Sequence, residues 1–435
     1  MKRTTLALAA AGAAAALTLS ACGGGGDTPG SDSTGGTVDP DEEITLTMTW
    51  WGNDDRAARY TEALELFNEE YPNITVQPTF STWDDYWTAR ATEAAGNSLP
   101  DVMQTDLAYL SQFGNRNQFL DLTPFVDNGI DVSGMSDSLL ASGQVGDALV
   151  GIPQSTNTLA LFYNPATLES LGVDAPDAEQ TWADFVDWSV AAAEAGASLD
   201  PQLYGTGDFT GVFWLFVQHL VQEGIEVFDA DGQVAFSEQD VVDWLQLVAP
   251  LRDNDLFMAP EAVAQLEPLG GFTANLFATE FSWDNFLAGY LADSGAESLE
   301  MLPLPVGSTG EHAQFFKPSM LLSASANTQH PEAAAALIDF LTNDPEVGAI
   351  FGTSRGVPSS ESARSQLSAE GADAQVIAFE EEWADVITES TPVLPEGYGS
   401  IEAEWLRLAS ELAYGNITVE EFASQWMSAA QSTLS

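Results

Sequence analysis

Residues 44–76, ITLTMTWWGNDDRAARYTEALELFNEEYPNITV, decide the fold class. Ile44, Leu46, Met48 and Trp50 alternate with Thr45, Thr47 and Thr49, the period of two that reads as a strand. Gly52-Asn53-Asp54 marks a turn, after which Tyr60, Leu64, Phe67 and Tyr71 recur at helical spacing over 56–71. Pro72-Asn73 stops that helix, and Ile74 and Val76 start a second strand. The result is a β-α-β unit. A further helix over 83–95 leads through Leu99-Pro100 into a short strand at 101–105. Strands and helices therefore keep alternating, which implies an α/β fold with a parallel sheet covered on both faces.

Downstream, the middle third is richer in helices and aromatic residues, clearest over 182–195 and 213–222. Asp229-Ala230-Asp231-Gly232 begins like a calcium loop, but the distal ligands are missing and strand-like residues flank it, so a hairpin turn is expected. A helix starts at Pro331, a residue suited to the first helical turn. The C-terminal part, containing Trp383, Trp405 and Trp426, reads as mostly helical. No internal repeat is visible.

Upstream, Lys2 and Arg3 precede an apolar run over 6–19 that is too short for a stable membrane anchor and reads as a cleaved targeting segment, residues 1–21. Residues 22–43 are rich in Gly, Ser, Thr, Asp and Pro, the composition of a flexible tether. No later stretch is long and apolar enough to span a bilayer.

About 390 residues follow the tether, more than one usual core and suited to two lobes. The whole chain carries 66 acidic and 11 basic residues, and removal of Lys2 and Arg3 takes the formal net charge from −55 to −57. Such a surface repels nucleic acid and anionic lipid. Lys317 is the only lysine after Lys2, a depletion that suits a strongly hydrated surface in a saline setting.

Leu19-Ser20-Ala21-Cys22 resembles the bacterial lipoprotein cleavage box, which implies that Cys22, the only cysteine, becomes the acylated N-terminus and anchors the chain to the outer side of the cell membrane. Several further patterns occur in one order. They are Thr49-Trp50-Trp51-Gly52, Tyr71-Pro72-Asn73-Ile74-Thr75-Val76, Leu99-Pro100-Asp101-Val102-Met103, Gly151-Ile152-Pro153 with Leu161-Phe162-Tyr163-Asn164, Phe281-Ser282-Trp283-Asp284-Asn285, and His330-Pro331-Glu332 with Arg355-Gly356-Val357-Pro358. Together they resemble the carbohydrate-binding proteins of ATP-driven (ABC) importers, the group related to maltose-binding protein. The resemblance implies a two-lobed, type II periplasmic-binding-protein-like fold with a hinge and a ligand cleft between the lobes. It places residues 44–153 plus 305–352 in the N-terminal lobe and 154–304 plus 353–435 in the C-terminal lobe, with crossings near Pro153, 302–305 and 352–357. A small carbohydrate, the permease subunits of the importer and the membrane are the implied partners of a monomer, and no cofactor is expected.

A pyranose offers apolar C–H faces and a rim of hydroxyls, so its site needs flat aromatic platforms beside amides and carboxylates. The chain has 12 tryptophans, any one of which has the core as its ordinary place. Trp50 and Trp51 end the first strand, where open α/β sheets bind ligands, and adjacent strand residues point to opposite faces. Trp51 and Asn53 are therefore candidates. Trp83 opens the next helix, and Asp106 follows a strand end as a hydroxyl acceptor or a helix cap. Asn157 lies just past the first crossing. Phe209 and Trp214 flank a Thr-Gly turn, and Trp283, Asp284 and Asn285 combine a platform, an acceptor and an amide at the family's aromatic position. Arg355 presents a fork suited to ligand hydroxyls or to an acidic pair.

Enzymatic readings are weaker. Gly352-Thr353-Ser354-Arg355-Gly356 matches G-x-S-x-G, but it follows a helical segment, and no histidine follows His330. His219, His312 and His330 are too widely spaced for a zinc signature, so no metal is expected. A glycoside hydrolase needs only two placed carboxylates and is the alternative that spacing alone leaves open. A binding protein for another polyol, such as a glycerol phosphate derivative, is the other alternative, and the scarcity of basic residues weighs against the phosphate.

Overall fold

The computed structural model describes residues 38–434 apart from 127, 230, 268 and 369; the targeting segment, Cys22 and most of the tether lie outside the described residues. The stretch that opens the sequence argument forms strand Ile44–Trp51, helix Asp54–Glu70 and strand Ile74–Ser81. The two strands are parallel, in register from Ile44 opposite Ile74 to Trp51 opposite Ser81. Ile44, Leu46, Met48 and Trp50 are buried, and they pack with Tyr60 and Phe67 of the helix and with Leu337 and Ile338 of helix Pro331–Asn343. Apolar alternation on the strand and the helical stripe thus close on one core.

The main sheet runs in the order Val357–Pro358, Ile152–Asn157, Phe315–Ala324, Val102–Thr105, Ile44–Trp51, Ile74–Ser81, with Glu389–Ser390 pairing beside Phe315. Val102–Thr105 is parallel to Ile44–Trp51, whereas Phe315–Ala324 runs antiparallel to both of its long neighbours. A second sheet has Leu159–Tyr163 between Thr279–Trp283 and Glu300–Leu302. It belongs to the second lobe, covered on one face by helix Trp182–Gly196 and the turn Phe209–Gly211, whose Phe185 and Phe209 pack on Phe281. The molecule is the α/β, two-lobed type II fold.

Covalent connection between the sheets is direct. Ile152–Asn157 continues through Thr158 into Leu159–Tyr163, and the chain returns between Glu300–Leu302 and Phe315–Ala324. After Val357–Pro358 it leaves the main sheet again, and helix Gly371–Glu382 packs Val376 and Phe379 with Phe162 and Phe272 of the second lobe. Helices Tyr398–Ala413 and Val419–Thr433 complete that lobe around Phe213, Trp405 and Trp426. Asp229 and Gly232 close a hairpin turn, with the Gly232 N–H donating to the Asp229 carbonyl and a bridge between Phe228 and Val234. Among the described residues no helix is long and apolar enough to cross a membrane.

Candidate ligand cleft

Strand parity separates the tandem tryptophans. Trp50 is buried against Tyr60, with ring centroids 4.2 Å apart, while partly exposed Trp51 points the other way into Trp83, Tyr86 and Trp87. Trp83, 41% exposed, stands edge-on to Trp51 at 5.0 Å, and Trp87 stacks on Tyr109 at 3.7 Å. The first lobe therefore offers an aromatic wall. Asn53 does not join it. Its side chain caps helix Asp54–Glu70 by accepting the Arg56 N–H at 3.0 Å.

Asp106 ends strand Val102–Thr105 and caps helix Leu107–Gly114 by accepting the Ala108 N–H at 2.8 Å. Its other oxygen faces Lys317 on Phe315–Ala324, 3.6 Å from the ammonium. From the second lobe, Trp283 and Trp214 meet edge to face at 5.6 Å, and the Lys317 ammonium lies 5.5 Å from each ring centroid. Tyr398 and Glu402, at the start of helix Tyr398–Ala413, complete the cluster; Tyr398 lies 5.4 Å from Trp214. Burial, then the Asp106 charge, pushes the Glu402 carboxyl up to about 7, against the pull of Lys317 and a hydrogen bond from Trp214. One cation thus stands among two carboxyls and two indole faces drawn from both lobes.

Asn157 and Asn285 meet at the crossing, where the Asn157 Nδ2 donates to Asn285 Oδ1 at 3.3 Å. Asp284 lies differently from its neighbours. It is completely buried, accepting the Thr158 N–H at 3.2 Å, and its own N–H donates to the Thr158 carbonyl. Burial raises its pKa, and burial together with the Asp284 charge raises that of Glu380 further, so the pair favours holding a proton between them. Glu380 also accepts the Thr156 hydroxyl at 3.3 Å. Asp284, expected as an acceptor for the ligand, here ties the crossing strand to helix Gly371–Glu382.

Arg355 lies inside the first lobe. Its guanidinium is buried, lies 3.4 Å from the centroid of the Phe351 ring and donates to the Tyr60 hydroxyl at 3.3 Å, and burial lowers its pKa. Among the described residues no carboxylate pairs with it. Ser354, the serine of the G-x-S-x-G match, sits in a turn after helix Pro345–Phe351 and donates to the Phe351 carbonyl at 2.6 Å, without the preceding strand that a nucleophile elbow requires.

Lys317, Glu402, Tyr398 and Glu380 are absent from the sequence-derived candidates. For Lys317 a signal existed, since it is the one lysine beyond the targeting segment. The other three sit in helices where surface and cleft carboxylates look alike in sequence.

Comparison with known proteins places this geometry. A maltodextrin-binding protein of Bacillus subtilis is 22% identical over 316 residues, covering 70% of this chain and 71% of that one. Among solved structures, an extracellular solute-binding protein family 1 member from Alicyclobacillus acidocaldarius is 27% identical with a TM-score of 0.70, covering 91% of this chain and all of its own. A periplasmic oligogalacturonide-binding protein from Yersinia enterocolitica, determined with saturated digalacturonic acid, is 25% identical with a TM-score of 0.77, covering 90% of this chain and 99% of its own. The sequence profile of the bacterial extracellular solute-binding proteins matches residues 52–347, and the chain belongs to that family.

Proposed function

We propose that this protein is the substrate-binding component of a carbohydrate ABC importer, closing its two lobes on a sugar or oligosaccharide and delivering it to the permease. The observation that carries the reading is the meeting of Trp283 and Trp214 with Asp106, Glu402 and Lys317 where the lobes join. Indole faces suit the apolar faces of a pyranose, and the carboxyls suit its hydroxyls. Carboxyls outnumber the cation there, which favours a neutral sugar over an acidic one. The named ligands of the Bacillus and Yersinia relatives are sugar chains, which supports the ligand class.

Membership of an extracellular family implies export. Cys22 as the acylated N-terminus and residues 22–43 as a tether would hold the domain, as a monomer, against the outer side of the membrane near its permease. Within the domain we place the lobe boundaries near 153, 305 and 353. A ligand touching both lobes favours the closed state by its differential contacts, the usual logic of hinge closure. Thermal shift of the purified protein against a panel of neutral and acidic mono- and oligosaccharides tests the reading. Stabilisation by neutral sugars is expected; no response to any sugar would remove it.

A further inference from the structure

A cavity of about 920 Å³ lies in the second lobe at the outer edge of strand Thr279–Trp283. Its walls are mostly apolar, built from Phe257, Met258 and Val263 on one side and from Phe277 and Phe281 on the other. Tyr414, just past helix Tyr398–Ala413, lines its far end. The cleft cluster is elsewhere. None of Trp283, Trp214, Asp106, Lys317 and Glu402 lines it, and Glu402 precedes Tyr414 by roughly 18 Å of helix rise. The volume falls within the roughly 300–1,000 Å³ typical of small-molecule sites.

Glu280, half-buried, lines this cavity from the strand edge. Among the described residues, no hydrogen bond or ion pair reaches its carboxyl, and burial pushes it up to about 7. The other charges lining the space are Arg252, Asp208, Asp255 and Glu267. Arg252 is already engaged, donating to Asp208 at 2.8 Å and to the Leu245 carbonyl at 2.9 Å. Tyr290 borders Glu280 as a further neutral neighbour, its own pKa raised by burial and by Glu280. The cavity is therefore a largely apolar chamber with surplus negative charge and one half-buried carboxyl that no basic side chain pairs among the described residues. Burying a carboxylate among apolar groups is costly unless a proton or a cation neutralises it.

We propose that this cavity is a second ligand site, separate from the interlobe cleft, that takes a small organic cation: a primary or secondary ammonium held by Glu280, with an apolar or aromatic body against Met258, Phe277 and Phe281. The ammonium supplies the charge-assisted partner that the protein withholds, and the body covers the apolar walls. The protein's strong negative charge draws such ligands from solution.

Calorimetric titration of the purified protein with phenethylammonium chloride, and with the neutral analogue phenethyl alcohol, tests the site. At about pH 8 the ammonium should bind about tenfold or more tightly than the alcohol, in line with a charge-assisted contact. Glu280→Gln should remove that advantage while changing alcohol affinity by less than about twofold. Met258→Trp, which narrows the chamber where the body of the ligand would lie, should weaken binding of both probes by at least about tenfold, and it serves as the test should Glu280→Gln not fold. Trp283→Ala should leave ammonium affinity unchanged. Near pH 6 binding should release a proton, seen as heat that depends on the buffer, because Glu280 must ionise to hold the cation. No binding of the ammonium at millimolar concentration overturns the proposal, as does full affinity in Glu280→Gln. Loss of ammonium binding in Trp283→Ala would place the probe in the cleft and overturn it equally.

Discussion

The ammonium of Lys317 lies 3.6 Å from Oδ2 of Asp106, so a strand of the main sheet and the cap of the helix after Val102–Thr105 are joined by charge at the floor of the cleft. Lys317 also moderates the raised pKa of Glu402. Lys317→Met would leave both carboxyls without their cation in a largely buried place. Removing one partner of a fully buried pair costs roughly 3–5 kcal/mol. Asp106 keeps its N-cap bond and some solvent contact, so a loss of about 1–3 kcal/mol is expected, read as a lower melting temperature together with weaker sugar binding. An unchanged melting temperature would show that the pair contributes nothing net.

Trp283 and Trp51 lie in different lobes, each partly exposed and each within an aromatic cluster. As stacking platforms, each should cost about 1–3 kcal/mol of binding free energy when changed to Ala. A core role would instead cost about 3–5 kcal/mol of stability without a specific binding defect. Titration calorimetry and thermal melts on the two variants separate the outcomes, and unchanged affinity removes that residue from the site.

Much of the fold was legible because its opening unit obeys two clean periods. Ile44 to Trp50 alternate, and Tyr60, Leu64 and Phe67 recur at helical spacing, so one short segment dictated a strand, a helix and a shared core. Trp50 and Trp51 were separable by parity alone. Lys317 was not readable in that way, because strand Phe315–Ala324 is covered on both faces and alternation gives no direction there. The burial of Asp284 and Arg355 was not legible for a related reason. Adjacency to Trp283 suggested a ligand acceptor and a rare cation suggested a fork, but packing that no local pattern encodes buries Asp284 beside Thr158 and Arg355 against Phe351 and Tyr60. Asn53 illustrates a third limit, since a turn amide before a helix is equally suited to capping and to ligand contact, and here it caps.

Salt should stabilise the protein. With 66 acidic residues against 11 basic ones, surface repulsion opposes the compact state and is screened over about 10 Å at 0.1 M salt and less above it. Melting temperature is expected to rise from low to molar sodium chloride. A flat or falling curve would mean that the charges are already balanced by structure.

On the proposal that Cys22 carries the lipid, Cys22→Ser should yield a folded but unanchored protein, because residue 22 precedes the described domain. Cell fractionation reads this directly. Variant protein retained in the membrane pellet with its targeting segment normally removed would rule the anchor out.

Stability should fall as pH rises through neutrality, beyond what surface repulsion alone produces. Burial raises the pKa of Glu280 and Glu402 to about 7 and also raises Asp284 and Glu380, which favour holding a proton between them at the crossing. In the unfolded chain these groups titrate near the ordinary carboxylate range, about 4. Between about pH 4 and 7 the folded state therefore holds more protons than the unfolded state, so stability falls as pH rises across that window. The contribution of these groups is fully present below the unfolded values and is lost as pH rises through the folded ones. Surface carboxylates such as Asp184 and Glu404, whose pKa values are lowered by hydrogen bonds from Thr181 and Arg407, act in the opposite sense, but they are solvated and their effect is small. Thermal melts from about pH 5 to 8 at high salt, where surface repulsion is screened, isolate the buried groups. The double variant Asp284→Asn with Glu380→Gln removes the charge that the crossing must otherwise bury, and the slope of its melting curve against pH should be visibly shallower than that of the parent. An identical slope would show that the pair does not exchange its proton in this range.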